Sequence, residues 1–221
     1  MFDLTGTSLA LIEVGFIFSF SYILRHLNWK QLSPLNKILY GWTMFTLSTG
    51  IWELMFLIQY KTTCNTALTY INNNEHVWTK KYDIIYLLPW KFSNIFYAEY
   101  GAYADREYMI PTDDWSRIIE GSHAIMCGLF AGLSILFKIY NKTSHYLVSI
   151  SMCMGAQLMN SVLYMVNYFH ETRDKENINY NTVDFPTGKF LEKRPFMYIN
   201  IFWTIMPIFC VYNLLKTYYI I

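Results

Sequence analysis

The sequence predicts an all-α integral membrane protein in which five transmembrane helices form one bundle around an intramembrane cavity. That expectation rests on composition, on segmentation and on where polar residues fall. Of 221 residues, 54% are apolar, 19% aromatic and only 15% charged, and mean hydropathy is +0.20, a balance poor in charge for a soluble chain. The apolar residues gather into five stretches near the roughly 20 residues that cross hydrocarbon, with most charges between them. Inside those stretches polar side chains recur at helical spacing, which lipid tolerates only where they face one another. The same composition excludes a disordered tail, a fibre and a disulfide-knotted module. Seventeen Lys and Arg against 16 Asp and Glu leave a net charge of +1, so no basic field recruits nucleic acid.

The first span, residues 7–24, follows a short stretch without a basic leader and is not followed by a small-residue cleavage site. It reads as a retained helix and not a signal peptide. Its Glu13 is expected to partner a neighbouring helix. The second span, residues 38–60, carries Thr49, Trp52 and Glu53, with Thr49 four residues before the glutamate and so on the same face. The connection that follows, residues 61–117, holds Trp78, Tyr82, Tyr86, Trp90, Phe92, Phe96, Tyr97, Tyr100 and Tyr103, the amphipathic character of a segment lying on the membrane face. The third span, residues 118–139, opens on Glu120 with His123 three residues on. The fourth, residues 146–169, presents Gln157, Asn160 and Tyr164, and the fifth, residues 196–219, presents Asn200, Trp203 and Pro207. No repeat breaks the chain, so residues 1–221 read as a single five-helix membrane domain.

Orientation follows from the short loops. Arg25, Lys30 and Lys37 after the first span, and Lys138 and Lys142 between the third and fourth, have no acidic neighbour, which places those loops in the cytoplasm. The longer connections, residues 61–117 and 170–195, carry both signs of charge and go to the opposite side. The N-terminus is then lumenal and the C-terminus cytoplasmic. The sequon Asn141-Lys142-Thr143 would face the cytoplasm and stay unglycosylated. Cys64, Cys127, Cys153 and Cys210 form no C-x-x-C pair, so they read as small apolar packing residues and neither zinc ligands nor a redox pair.

An ionisable group near mid-bilayer costs at least about 2.5 kcal/mol on insertion scales, which makes each one a functional-site hypothesis. Glu53, about fifteen residues into its span with no basic residue near it in sequence, is the strongest; Glu120, His123 and Trp203 gain weight from its company. Gln157, Asn160 and Thr49, each alone, read as interhelical glue. Two carboxylates and an imidazole in a dry chamber are the parts for adding a proton at one carbon and removing one at another. An indole face stabilises positive charge developing on an apolar substrate. No metal quartet, phosphate-cradling glycine loop, nucleophile elbow or dinucleotide fingerprint occurs, and no cofactor is expected.

Val162, Leu163 and Tyr164, then Glu171, Arg173 and Asp174, and finally Asn200 and Trp203 with Pro207 form an ordered series. They are similar to the V-L-Y, E-x-R-D and N-x-x-W-x-x-x-P elements of the emopamil-binding protein family, whose EXPERA-type membrane fold includes the sterol Δ8,Δ7-isomerase and the sigma-2 receptor. Earlier, Ala104, Asp105 and Tyr108 resemble the family's D-S-R-Y stretch, and Glu53 and Glu120 fall on its second- and third-helix glutamates. The resemblance runs from about residue 40 to 215 as scattered positions whose order and spacing carry it.

That resemblance implies an endoplasmic-reticulum sterol isomerase moving a ring double bond from Δ8 to Δ7. By resemblance Glu53 and Glu120 would transfer protons, Asn200 would anchor the substrate and Trp203 would shelter the cation. Read from the polar stripes instead, His123 joins the proton transfer, and Thr49, Trp52, Gln157 and Tyr164 join Asn200 and Trp203 in binding the substrate. Its partners would be a sterol or other polycyclic lipid and cationic amphiphilic amines, and aromatic surfaces of this kind leave a homodimer open. Where the family isomerase has a histidine four residues before its second-helix glutamate this chain has Thr49, and where the family has a threonine after its third-helix glutamate this chain has His123. The imidazole is therefore expected to act from the opposite helix. The stretch Asp105, Arg106, Glu107, Tyr108 also departs from D-S-R-Y. The alternative is a non-catalytic receptor or transport factor for sterols and amines, and a third is a structural protein whose polar stripes set helix register.

Overall fold

Helix formation satisfies every backbone hydrogen bond within one segment, which is what an apolar surrounding demands, and helix dominates the chain. The computed structural model describes residues 3–28, 34–104, 114–171 and 196–218. Among them, in order, lie β1 (Asp3–Thr5), α1 (Gly6–Asn28), α2 (Pro34–Ile58), α3 (Tyr60–Asn73), β2 (Lys81–Asp83), a 3₁₀ turn (Ile84–Leu87), α4 (Pro89–Tyr103), α5 (Asp114–Ile139), α6 (Thr143–Glu171) and α7 (Phe196–Tyr218). The expected Asp105–Tyr108 stretch and Arg173 and Asp174 fall outside the described residues.

Among the described residues three segments are both long and apolar enough to cross a membrane: Arg117–Ile139, Thr143–Val166 and Ile199–Tyr218. In α1 the described apolar stretch is shorter, Gly6–Phe20. The second expected span ends earlier than residue 60, because α2 stops at Ile58 and Tyr60 already belongs to α3.

The bundle core lies where α2, α5, α6 and α7 meet, around Trp42, Cys127, Ala131, Ile150, Met154 and Cys210. Cys127, Cys153 and Cys210 are free and buried there. α2 and α5 approach closely. A Cβ added to Gly50 would sit 2.7 Å from the Cα of Gly128 and 3.0 Å from the carbonyl oxygen of Ala124. Backbone touches backbone at this crossing, the packing that small residues permit between membrane helices. It lies one turn from Glu53 on α2 and within two or three turns of Glu120 and His123 on α5, and so sets the spacing of the site. At the far end of α5, Asn141 adopts the left-handed conformation (φ 56°), and the Lys142 amide bonds back to Phe137 (2.8 Å), closing a tight reversal into α6.

The connection after α2 folds into a cap with its own core of Leu9, Ala67, Tyr70, Val77, Tyr82 and Phe92 with their neighbours. β1 pairs antiparallel with β2, Leu4 opposite Tyr82, which fastens the start of α1 to the cap. Thr5 caps α1, its hydroxyl accepting from the Ser8 amide (3.2 Å) and sharing a bond with the Ser8 hydroxyl (2.9 Å). Asp83 accepts from the Ile85 amide (3.1 Å) to start the 3₁₀ turn, and Pro89 opens α4 at a position needing no donor. The nine aromatics expected on the membrane face divide. Trp78 and Trp90 are exposed, Tyr82 and Phe92 are buried, and Phe96, Tyr97 and Tyr100 turn inward to a cavity.

Candidate functional site

Between α2, α4, α5, α6 and α7 lies a cavity of about 430 Å³, within the 300–1,000 Å³ class that holds small molecules. The residues expected to catalyse or to bind substrate border it, and so does Asn160: Thr49, Trp52 and Glu53 on α2, Glu120 and His123 on α5, Gln157, Asn160 and Tyr164 on α6, and Asn200 and Trp203 on α7. Glu13 lies outside it, on α1, where its carboxylate accepts from the Trp52 indole. That contact ties α1 to the wall of the cavity.

The two cavity carboxylates have different partners. Glu120 accepts from Asn160 Nδ2 at 3.1 Å across the α5–α6 interface. Glu53 is hydrogen-bonded to the phenol of Tyr97 on α4. His123 Nε2 lies 2.8 Å from the carbonyl oxygen of Ala156. A carbonyl only accepts, so Nε2 carries hydrogen and Nδ1 is the nitrogen left to gain or lose a proton. The Cys127 thiol is 3.5 Å from the same Nε2.

Two residues expected at the site serve mainly as ties between helices. The Trp42 indole donates to Gln157 Oε1 (2.7 Å) and Gln157 Nε2 donates to Thr46 (3.3 Å), so the amide of this buried glutamine is engaged at both ends with α2. Thr49, standing where a histidine was expected by resemblance, donates to its own helix at Thr46 O (2.9 Å). Only its oxygen lone pairs remain for a ligand.

One wall is aromatic. Trp203 packs at 4.6 Å from Trp42 and 5.6 Å from Phe45, nearly parallel to the latter at 28°. An indole offers the negative face of its π-system to a cation.

Sequence reasoning missed the roof. α4 contributes Phe96, Tyr97 and Tyr100, and it is held down by Ser93 donating to Trp52 O (2.7 Å), by Tyr97 stacked on Phe56 (5.1 Å, 10°) and by Tyr100 bonded to Tyr164 (3.1 Å). The signal was present: Phe96, Tyr97 and Tyr100 share one helical face. The segment's exposed tryptophans pointed to the membrane surface instead.

Comparison with protein-family models, with curated proteins and with solved structures gave no match for this chain. Among the described residues no group of three or more His, Cys, Asp or Glu is placed to hold a metal ion.

Proposed function

We propose that α1, α2, α5, α6 and α7 are five membrane spans and that the cavity between them isomerises a sterol, moving a ring double bond from Δ8 to Δ7 by protonation and deprotonation. The observation that supports this most is the convergence of Glu53, Glu120, His123 and Trp203, from three helices, on one cavity. In this reading a proton is delivered to the alkene, leaving a tertiary carbocation beside the Trp203 face. A carboxylate then takes a proton from the neighbouring carbon and the double bond re-forms one position along. Electrons stay within the substrate, so no oxidant or reductant enters.

Asn160 suits Glu120 to the role of base, since its N–H donation favours the charged carboxylate. His123 shuttles the proton through Nδ1 from the α5 side, taking the part that a histidine at position 49 would have played from α2. The reading includes the resemblance to the emopamil-binding protein family, a place in the endoplasmic reticulum with the N-terminus lumenal, and the role of substrate contact for Trp52, Tyr164 and Asn200.

A second reading, a receptor or transport factor for sterols and cationic amphiphiles, draws on the pairing of two carboxylates with the Trp42–Phe45–Trp203 wall, which fits a ligand ammonium equally well. Incubation of the purified protein with a Δ8 sterol in deuterated water separates the two. The isomerase gives Δ7 product with deuterium at the carbon protonated, and His123→Thr loses turnover by at least tenfold. Binding without product selects the receptor, and full turnover in His123→Thr removes the histidine from the mechanism.

A further inference from the structure

A second cavity, of about 610 Å³, lies between α1, α2 and α7 and shares Phe45 with the polar one. Its character is different. Val14, Phe18, Ile38 and Met206 make apolar walls, and one end carries Tyr22 and Lys37. Phe18 lies beside Gly41 and Glu13 beside Trp52, so α1 and α2 run antiparallel, and the groove extends from Val14 and Phe45 to Tyr22 and Lys37. Eight residues of helix give it about 12 Å, most of the roughly 15 Å depth of one leaflet's hydrocarbon.

Lys37 is the decisive residue. It is exposed, no Asp or Glu occurs between Glu13 and Glu53 in the chain, and the ion pairs among the described residues, His76–Glu99 and Lys80–Glu75, do not involve it. An apolar slot about 12 Å long that ends at an ammonium with no ion-pair partner among the described residues matches an amphiphile with a negative head. We propose that this groove binds one anionic phospholipid, an acyl chain lying between α1, α2 and α7 and the phosphate on Lys37. The site is separate from the sterol cavity and stands whether that cavity is catalytic or not. It does rest on these helices being membrane spans. Because the lipid would press on Trp42 and Phe45, it would also brace the wall that the two cavities have in common.

Gly41 makes the groove testable. It borders the slot, and the nearest atom to a Cβ built on it is Phe18 Cε1 at 3.8 Å, so a larger side chain there enters the groove without striking backbone. The full-length protein is equilibrated in micelles with equal amounts of phosphatidylglycerol and phosphatidylcholine of the same acyl chains, and retained lipid is weighed by native mass spectrometry. The expected result is one tightly held phosphatidylglycerol, favoured about fivefold, the factor one lysine supplies near an anionic surface. Lys37→Gln brings the ratio to parity, Lys37→Arg keeps it, and Gly41→Leu releases the lipid. Ile38→Trp, at a half-exposed position on the groove, replaces Gly41→Leu if that variant does not fold. Equal retention of the two lipids by the wild type, an unchanged preference in Lys37→Gln, a lipid that survives the filled groove, or a sterol retained in its place would each overturn the proposal.

Discussion

Asn160 and Gln157 sit one turn apart on α6 and differ in what they hold. Asn160 donates to Glu120, whereas Gln157 is engaged by Trp42 and Thr46. Removing a donor from a charged acceptor costs about 1.5–3 kcal/mol, while an interhelical bond in a membrane averages about 0.6 kcal/mol. Asn160→Ala should therefore lower the proposed isomerase turnover at least tenfold and lower the melting temperature as well. Gln157→Leu should lower melting temperature by a few degrees and leave turnover within twofold. Steady-state rates and thermal melts of the two variants check this, and the opposite pattern would reassign both residues. The polar stripes were legible in the sequence because helical spacing alone shows which side chains share a face. Their partners were not, since whether an amide meets a carboxylate or an indole depends on how neighbouring helices are rotated.

Two elements decide the shape of the site, the α2–α5 crossing and the cap. At the crossing, a methyl on Gly50 meets the backbone of Gly128 and Ala124, which cannot swing away as a side chain could. Overpacking of this kind costs about 1–3 kcal/mol. Gly50→Ala should lower the melting temperature and, by parting α2 from α5, also lower turnover; a variant as stable and active as the wild type would show that the helices do not touch there. In the cap, Tyr70 and Tyr82 share a buried hydroxyl bond of 2.7 Å. Burial pushes Tyr82 from 10.0 up to about 12 and Tyr70 higher still, each raised further by nearby Glu99. In the unfolded chain these phenols ionise near 10 while the folded cap keeps its protons, so the unfolded state binds fewer protons in that window. Their contribution is fully present below pH 10; that of Tyr82 is lost as pH rises through about 12 and that of Tyr70 higher still. Denaturation monitored between pH 9 and 12 should show stability falling above 10; Tyr82→Phe, which cannot ionise, should flatten part of that fall, and an unchanged slope would contradict it. The long helices were legible from apolar length, with ends misplaced by a few residues. The cap was not, because its strand pairing joins residues 3–5 to residues 81–83, a contact that no local pattern encodes.

Across the whole molecule, apolar helices set a frame in which ionisable residues are few, and those few gather. Glu53, Glu120 and His123 border the same cavity, while the cap buries Glu99 against His76 Nδ1 (2.8 Å) and the Val77 amide (2.9 Å). Composition made the membrane character legible, and spacing made the inward stripes legible. The roof from α4 and the groove beside Lys37 required the arrangement of helices in space. The most direct test of the central proposal is to replace Glu53 and Glu120 singly by glutamine, which keeps shape and removes the carboxylate, and to measure turnover and sterol affinity on the same preparations. Proton-transfer groups contribute about 10²–10⁴-fold. The expected result is a loss of turnover of at least a hundredfold in each variant with affinity within threefold of the wild type, whereas turnover retained in both variants would contradict proton transfer by these carboxylates.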